Sequence, residues 1–185
     1  MGSTRLRILD LDVENRPLAY LGQDFTTAEI TAIASCWVGE LKTMQVWLLG
    51  REDLPKMLLY FKARYDDADM VTGHYIREHD LPVLNGALIE KGLSVLGPKL
   101  TSDTKLDLVS RKYISASQEN LAAMLGVKAP KVSLSNTEWR EANRLTPEGL
   151  KTTEARVRGD VLQHMEMRAV MLERGLLGPP RMWRP

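Results

Sequence analysis

Arg7-Ile8-Leu9-Asp10-Leu11-Asp12-Val13-Glu14 alternates apolar side chains with carboxylates near the start of a 185-residue chain. The apolar members predict a short buried strand. Side chains alternate across a strand, so Leu9, Leu11 and Val13 share one face while Asp10, Asp12 and Glu14 share the other. Carboxylates in a core strand are costly unless something pairs with them. Held this close, they also raise one another's pKa unless a cation lies between them. A divalent metal is the simplest such cation, and further ligands must then come from elsewhere in the chain.

Outward from that strand, Asn15-Arg16-Pro17 reads as a turn and Leu18 to Gly22 as a short extra strand. Ile30 to Val38 and Met44 to Leu49 read as a hairpin, which joins the first strand in an antiparallel group of three. A helix opens at Glu52-Asp53 and runs to about Tyr65, with Leu54, Met57, Leu58 and Phe61 at helical spacing. A strand over 69–73 ends at Gly73, and a helix over 77–91 stops at Gly92. Ser115 with Gln118 forms a capping-box pattern before a helix over 118–125, closed by Gly126. Helices over 136–144 and about 148–174 follow, the second burying Val157, Val161, Met165, Ala169, Leu172 and Leu176. The tail, 176–185, has no regular pattern. This order predicts an α/β fold: a mixed sheet of three antiparallel strands plus parallel strands, flanked by helices. The whole chain, 1–185, reads as a single domain with its core over about 6–175.

With 44% hydrophobic and 26% charged residues, the composition suits one globular domain with a sizeable core. The net charge of +1 gives no long-range attraction to nucleic acid by itself. From Lys151 onward seven basic residues face four acidic ones, leaving the first 150 residues at minus two. That pattern fits an acidic centre beside a basic rim. The single cysteine, Cys36, forms no internal disulfide and points to a reducing cytoplasm. No long apolar segment precedes the first strand, so neither a signal peptide nor a membrane span is expected.

Two further motifs carry acids. In Val71-Thr72-Gly73-His74-Tyr75-Ile76-Arg77-Glu78-His79-Asp80-Leu81-Pro82, Asp80 stands ahead of an apolar helical face. It can cap a helix beginning near Pro82, face a metal, or do both. In Arg156-Val157-Arg158-Gly159-Asp160-Val161-Leu162-Gln163-His164, positions 156, 160 and 164 share one helical stripe. An Arg–Asp surface ion pair is the plain reading there. A mid-helix glycine, costing about 1 kcal/mol, argues instead for a close-packed neighbour or a ligand at Gly159.

Taken in order, Asp12-x-Glu14, the Gly73 to Leu84 motif and Arg158-Gly159-Asp160-Val161 resemble the three motifs of DnaQ-like (DEDD) 3′-5′ exonucleases. The middle motif is most similar to that of family B polymerase proofreading domains and phage-type stand-alone exonucleases, so a bacteriophage or bacterial source is implied. The resemblance spans about residues 6–175 and implies a ribonuclease H-like fold. It also implies that Asp12, Glu14, Asp80 and Asp160 hold two Mg²⁺ or Mn²⁺ ions. Such ions, about 3.5 to 4 Å apart, serve the attacking and leaving oxygens of one phosphate. Asp10 becomes a neighbour of the site. The hard oxygen donors suit these ions better than zinc.

The chain departs from the motifs at two places. Tyr75 stands where Asn is common, and the position that usually orients water carries Arg156, which stays protonated and is no base. Arg156 is then a candidate for binding the scissile phosphate, and His164 is the substitute base. His74, Tyr75, Asp107 and Lys131 are candidate substrate contacts, as are Asp103, Lys128, Arg140 and Arg144. Tyr20, Tyr75 and Trp139 are candidate stacking partners for bases, while Trp37 and Trp47 read as core. The expected substrates are single-stranded DNA or RNA 3′ ends, with replication proteins as possible partners and no membrane. Two other readings stand beside this one. A ribonuclease H-type endonuclease or resolvase gathers carboxylates on a similar sheet, though the Asp12-x-Glu14 pair favours the exonuclease. A catalytically degenerate module that binds nucleic acid or protein is motivated by Arg156.

Overall fold

The first strand, β1 (Ile8–Pro17), runs through the middle of a six-stranded sheet ordered β3-β2-β1-β4-β5-β6. It pairs antiparallel with β2 (Ala28–Trp37), which pairs antiparallel with β3 (Gln45–Leu48). On its other side β1 lies parallel to β4 (Met70–Gly73), and β4 lies parallel to β5 (Lys99–Asp103). A short antiparallel strand, β6 (Arg181–Trp183), closes that edge. The expected antiparallel trio and its mixed continuation are therefore present. This computed structural model describes residues 6–18, 26–129 and 133–185.

Strand alternation sorts β1 into two faces, as the opening stretch predicts. Leu9, Leu11 and Val13 enter a core with Met57, Leu58 and Phe61 of α1 (Leu54–Asp67) and Leu81 and Leu84 of α2 (Asp80–Glu90). The opposite face meets the long helix α5 (Pro147–Glu173), whose Val157 and Val161 pack on Ala32, Ala34 and Cys36 of β2. Those small side chains admit the helix close to the sheet. α3 (Gln118–Leu125) packs Leu121 and Ala122 against Met167 and Met171 of α5, and α4 (Asn136–Ala142) lies before α5 in the chain. Asp53 caps α1 by accepting from Lys56 N–H, and Gly126 ends α3 at φ +73°.

Several expectations are corrected. The turn expected at Asn15-Arg16-Pro17 is strand, because β2 supplies partners as far as Pro17 across a register shift between Glu14 and Asn15. Ser117, not Ser115, caps α3, through Asn120 N–H. α2 begins three residues later than expected, at Asp80, after a loop. The tail is not irregular throughout: Arg181–Trp183 pairs with β5, a polar strand that local patterning missed because Thr101, Ser102 and Asp103 are buried by partners distant in sequence. In α5, Met167 and Met171 are buried while Leu172 is half exposed and Ala169 is exposed. The helix turns its polar stripe, Asp160, His164 and Arg168, inward as well. Trp47 is buried, and Trp37 packs partly buried on the same core. The strand expected over 18–22 falls, except for Leu18, outside the described residues. Among the described residues no helix is long and apolar enough to cross a membrane.

Candidate metal centre

Three carboxylates converge between β1 and α5. Asp12 and Glu14 point from β1 toward the helix, and Asp160 points back from α5, so that one oxygen from each lies within 4.8 Å of the others. Asp80 lines the same cleft, of about 290 Å³, from the start of α2. Its carboxylate does not cap the helix. Asp80 Oδ1 accepts the Val13 backbone N–H at 2.9 Å, which ties α2 to β1 between the two β1 acids. His79 Nδ1 lies 3.4 Å from Asp80 Oδ2.

The loop between β4 and α2 is set by close packing and a buried acid. A Cβ on Gly73 would come within 2.7 Å of Leu11 O and 2.3 Å of Ile76 Cγ2, so only glycine fits. Tyr75 takes a left-handed backbone at φ +69°, uncommon for a bulky side chain. Asp103 holds this conformation: its oxygens accept from Tyr75 N and Arg77 N at 3.0 and 3.1 Å, and from Lys105 N and Leu106 N at 3.0 Å. Arg77 clamps Asp107 at 2.6 and 3.0 Å, and the Asp107 side chain is 1% exposed. Asp107, expected at the substrate, thus braces the loop from below, as does Asp103.

Arg156 enters the cleft from α5. Its Nε lies 2.8 Å from Asp160 Oδ2 and 3.3 Å from Glu14 Oε1, and its guanidinium stands 5.7 Å from the Trp139 ring centre on α4. The plain reading of a surface Arg–Asp pair does not hold, because both side chains are largely buried. One guanidinium does not balance the acids. Burial, then Glu14, Asp80 and Asp160, push the Asp12 carboxyl well above its usual range, with Arg156 opposing. Burial pushes Glu14 up to about 7 despite Arg156. Burial also raises Asp80, against the hydrogen bond from His79, and that bond raises His79 in turn.

The remaining expected residues divide. His74 and Tyr75 line the cleft, joined by Lys105, whose Nζ lies 3.7 Å from the Tyr75 ring centre. Lys105 and Gln118, which donates to Asp160 O at 3.0 Å, were not expected at the site, Gln118 being read only as part of a capping box; neither belongs to a motif with the acids. His164 is 2% exposed and bonds Asp10 at 2.7 Å, away from the cleft lining. Asp10 is fully buried in a central strand. Arg140 and Arg144 lie with Arg16 along a separate cleft beyond the end of β1, and Lys128 N donates to Glu166. Lys131 and Tyr20 lie outside the described residues.

The donor set fits divalent cations. It consists of carboxylate oxygens, crowded so that burial and mutual repulsion disfavour their ionised forms unless a cation offsets them.

A known structure shares the architecture. The chain superposes on a family B DNA polymerase from the hyperthermophilic archaeon Pyrobaculum calidifontis with a TM-score of 0.71 and 17% identity. The match covers 91% of this chain and 25% of the polymerase, so the chain spans a quarter of that protein's length. At that identity the likeness carries the fold, a ribonuclease H-like α/β sheet flanked by helices. No family model matches the chain, and no curated protein matches it.

Proposed function

We propose that the protein is a metal-dependent 3′-5′ exonuclease that hydrolyses phosphodiester bonds at single-stranded DNA or RNA 3′ ends. The observation that carries this reading is the convergence of Asp12, Glu14 and Asp160 oxygens within 4.8 Å, with Asp80 on the same cleft. The co-linear resemblance of the three acidic motifs to DnaQ-like exonucleases supports it, as does the shared fold.

Asp12, Glu14, Asp80 and Asp160 are the residues that would hold two divalent cations. Bound there, the cations would stabilise charge on the phosphate and provide a nucleophilic water at neutral pH. The chain's own groups do the rest. Val13 N–H orients Asp80 through its Oδ1. Lys105 and Tyr75 form a basic and aromatic wall on which a terminal nucleotide can rest, the ring for stacking and the ammonium for its phosphate. Arg156, whose Nε lies between Glu14 and Asp160, would bind the phosphate once those acids hold the cations.

The position of Arg156 between two of the acids favours one other reading, a module that binds nucleic acid without cleaving. Incubating 5′- and 3′-labelled oligonucleotides with Mg²⁺, Mn²⁺ or EDTA separates the cases. Stepwise shortening from the 3′ end in the presence of metal, lost in Asp12→Ala, is the expected result. Internal cuts would indicate a ribonuclease H-type endonuclease, and binding without cleavage in either metal would indicate the degenerate module.

A further inference from the structure

Directly beneath the carboxylate cleft lies a second, fully buried polar pair on the same two elements. Asp10 precedes Asp12 by two residues on β1, about 6.6 Å along a strand. His164 follows Asp160 by four residues on α5, about 6 Å along a helix. These rises nearly match, so Asp10 and His164 meet one layer below the place where Asp12 and Asp160 meet. His164 Nδ1 lies 2.7 Å from Asp10 Oδ2, with exposures of 2% and 0%. The other ring nitrogen, Nε2, lies 3.0 Å from Thr104 Oγ1. That hydroxyl also lies 3.0 Å from His74 Nδ1 and 3.4 Å from Gly73 O, in the loop that leads to Asp80. Arg168, a further turn along α5 and also buried, adds attraction toward Asp10.

One chain of hydrogen bonds thus joins β1, α5, the end of β5 and the loop before α2, the parts that carry or abut all four cleft acids. Asp12, Glu14 and Asp160 repel one another, and in their own layer Arg156 of α5 offsets this through Glu14 of β1. The Asp10–His164 contact adds a second, fully buried tie between the two elements at the layer below. We propose that Asp10, His164 and Thr104 are positioning residues that hold the cleft acids at cation-binding spacing, a role distinct from the substitute base expected of His164. The inference rests on the metal-centre reading above but not on the reaction assigned to it.

The test is Mn²⁺ binding by the full chain, followed by calorimetry, with unfolding in EDTA measured in parallel. Thr104→Val removes the hydroxyl at nearly constant volume, and Thr104→Ser keeps it. Loss of a group that orients metal ligands typically weakens affinity about tenfold or more. Thr104→Val and His164→Phe are expected to weaken Mn²⁺ binding by about that factor per folded molecule, with Thr104→Ser near the parent. Should His164→Phe fail to fold, the Val and Ser pair at position 104 decides alone. Equal Mn²⁺ affinity in Thr104→Val, Thr104→Ser and the parent overturns the proposal, even if Thr104→Val is less stable. A parent chain that binds Mn²⁺ yet never shortens oligonucleotides would overturn the exonuclease reading and leave this one standing.

Discussion

Arg156 and Glu14 meet across the cleft, Nε to Oε1 at 3.3 Å, while the same nitrogen holds Asp160 Oδ2 at 2.8 Å. The guanidinium occupies the electrostatic place of a cation among acids from two different elements. Replacing it should separate two effects that usually travel together. Arg156→Ala is expected to lower the melting temperature in EDTA at neutral pH by about 2–4 °C for each kcal/mol lost. It should also bind Mn²⁺ more tightly, since a competing positive charge is gone. Calorimetric titration and thermal unfolding of the same preparation check both signs.

The cleft acids give the metal-free protein a pH signature. Glu14 rises from 4.5 to about 7 on folding, and Asp12 shifts the same way. Raised carboxyl pKa values mean that the folded chain keeps protons the unfolded chain releases, so Glu14 makes stability fall as pH climbs from about 4.5 to about 7, and Asp12 adds a loss of the same sign. Melting in EDTA should therefore show a decline across that window. Divalent cations bind the ionised carboxylates, so the upward shift on adding Mn²⁺ should be larger near pH 8 than near pH 5.5. A shift independent of pH would remove these acids from the ligand set.

Gly73→Ala should be costly beyond its size. The new methyl would press on Leu11 O, a backbone atom of β1 beside Asp12. A loss of about 1–3 kcal/mol in chemical denaturation is the expected overpacking cost. Cation affinity should fall with it, because the displaced loop leads into Asp80.

Asp107 and Arg77 test the brace under that loop. Removing one partner of a buried pair typically costs about 3–5 kcal/mol, so Asp107→Ala should be strongly destabilising. Were Asp107 a substrate contact instead, the variant would keep its stability and lose only oligonucleotide affinity.

The faces of β1, the hairpin that follows and the helix stops at glycines could be read from the sequence, because each depends on near neighbours. Alternation alone separates Leu9, Leu11 and Val13 from Asp10, Asp12 and Glu14. What resisted reading was set by distant partners. β5 carries few apolar residues, and only β4 and β6 make it a strand. Asp10 looked like a bystander because its partner His164 is 154 residues away. His164 looked like a base because periodicity places it with Asp160, yet periodicity does not show that α5 turns this polar stripe toward the sheet. Asp103 and Asp107 stood near the right loop, but their roles as acceptors for its backbone and for Arg77 depend on folded geometry.

The central claim is that the cleft acids are held together for cations and not for stability. Asp12→Asn tests it within one protein. Relief of repulsion should raise the melting temperature in EDTA at alkaline pH, where the raised cleft acids ionise, while Mg²⁺-dependent shortening of a 5′-labelled oligonucleotide should fall by about two orders of magnitude or more. Undiminished shortening by Asp12→Asn under the same conditions would contradict the account.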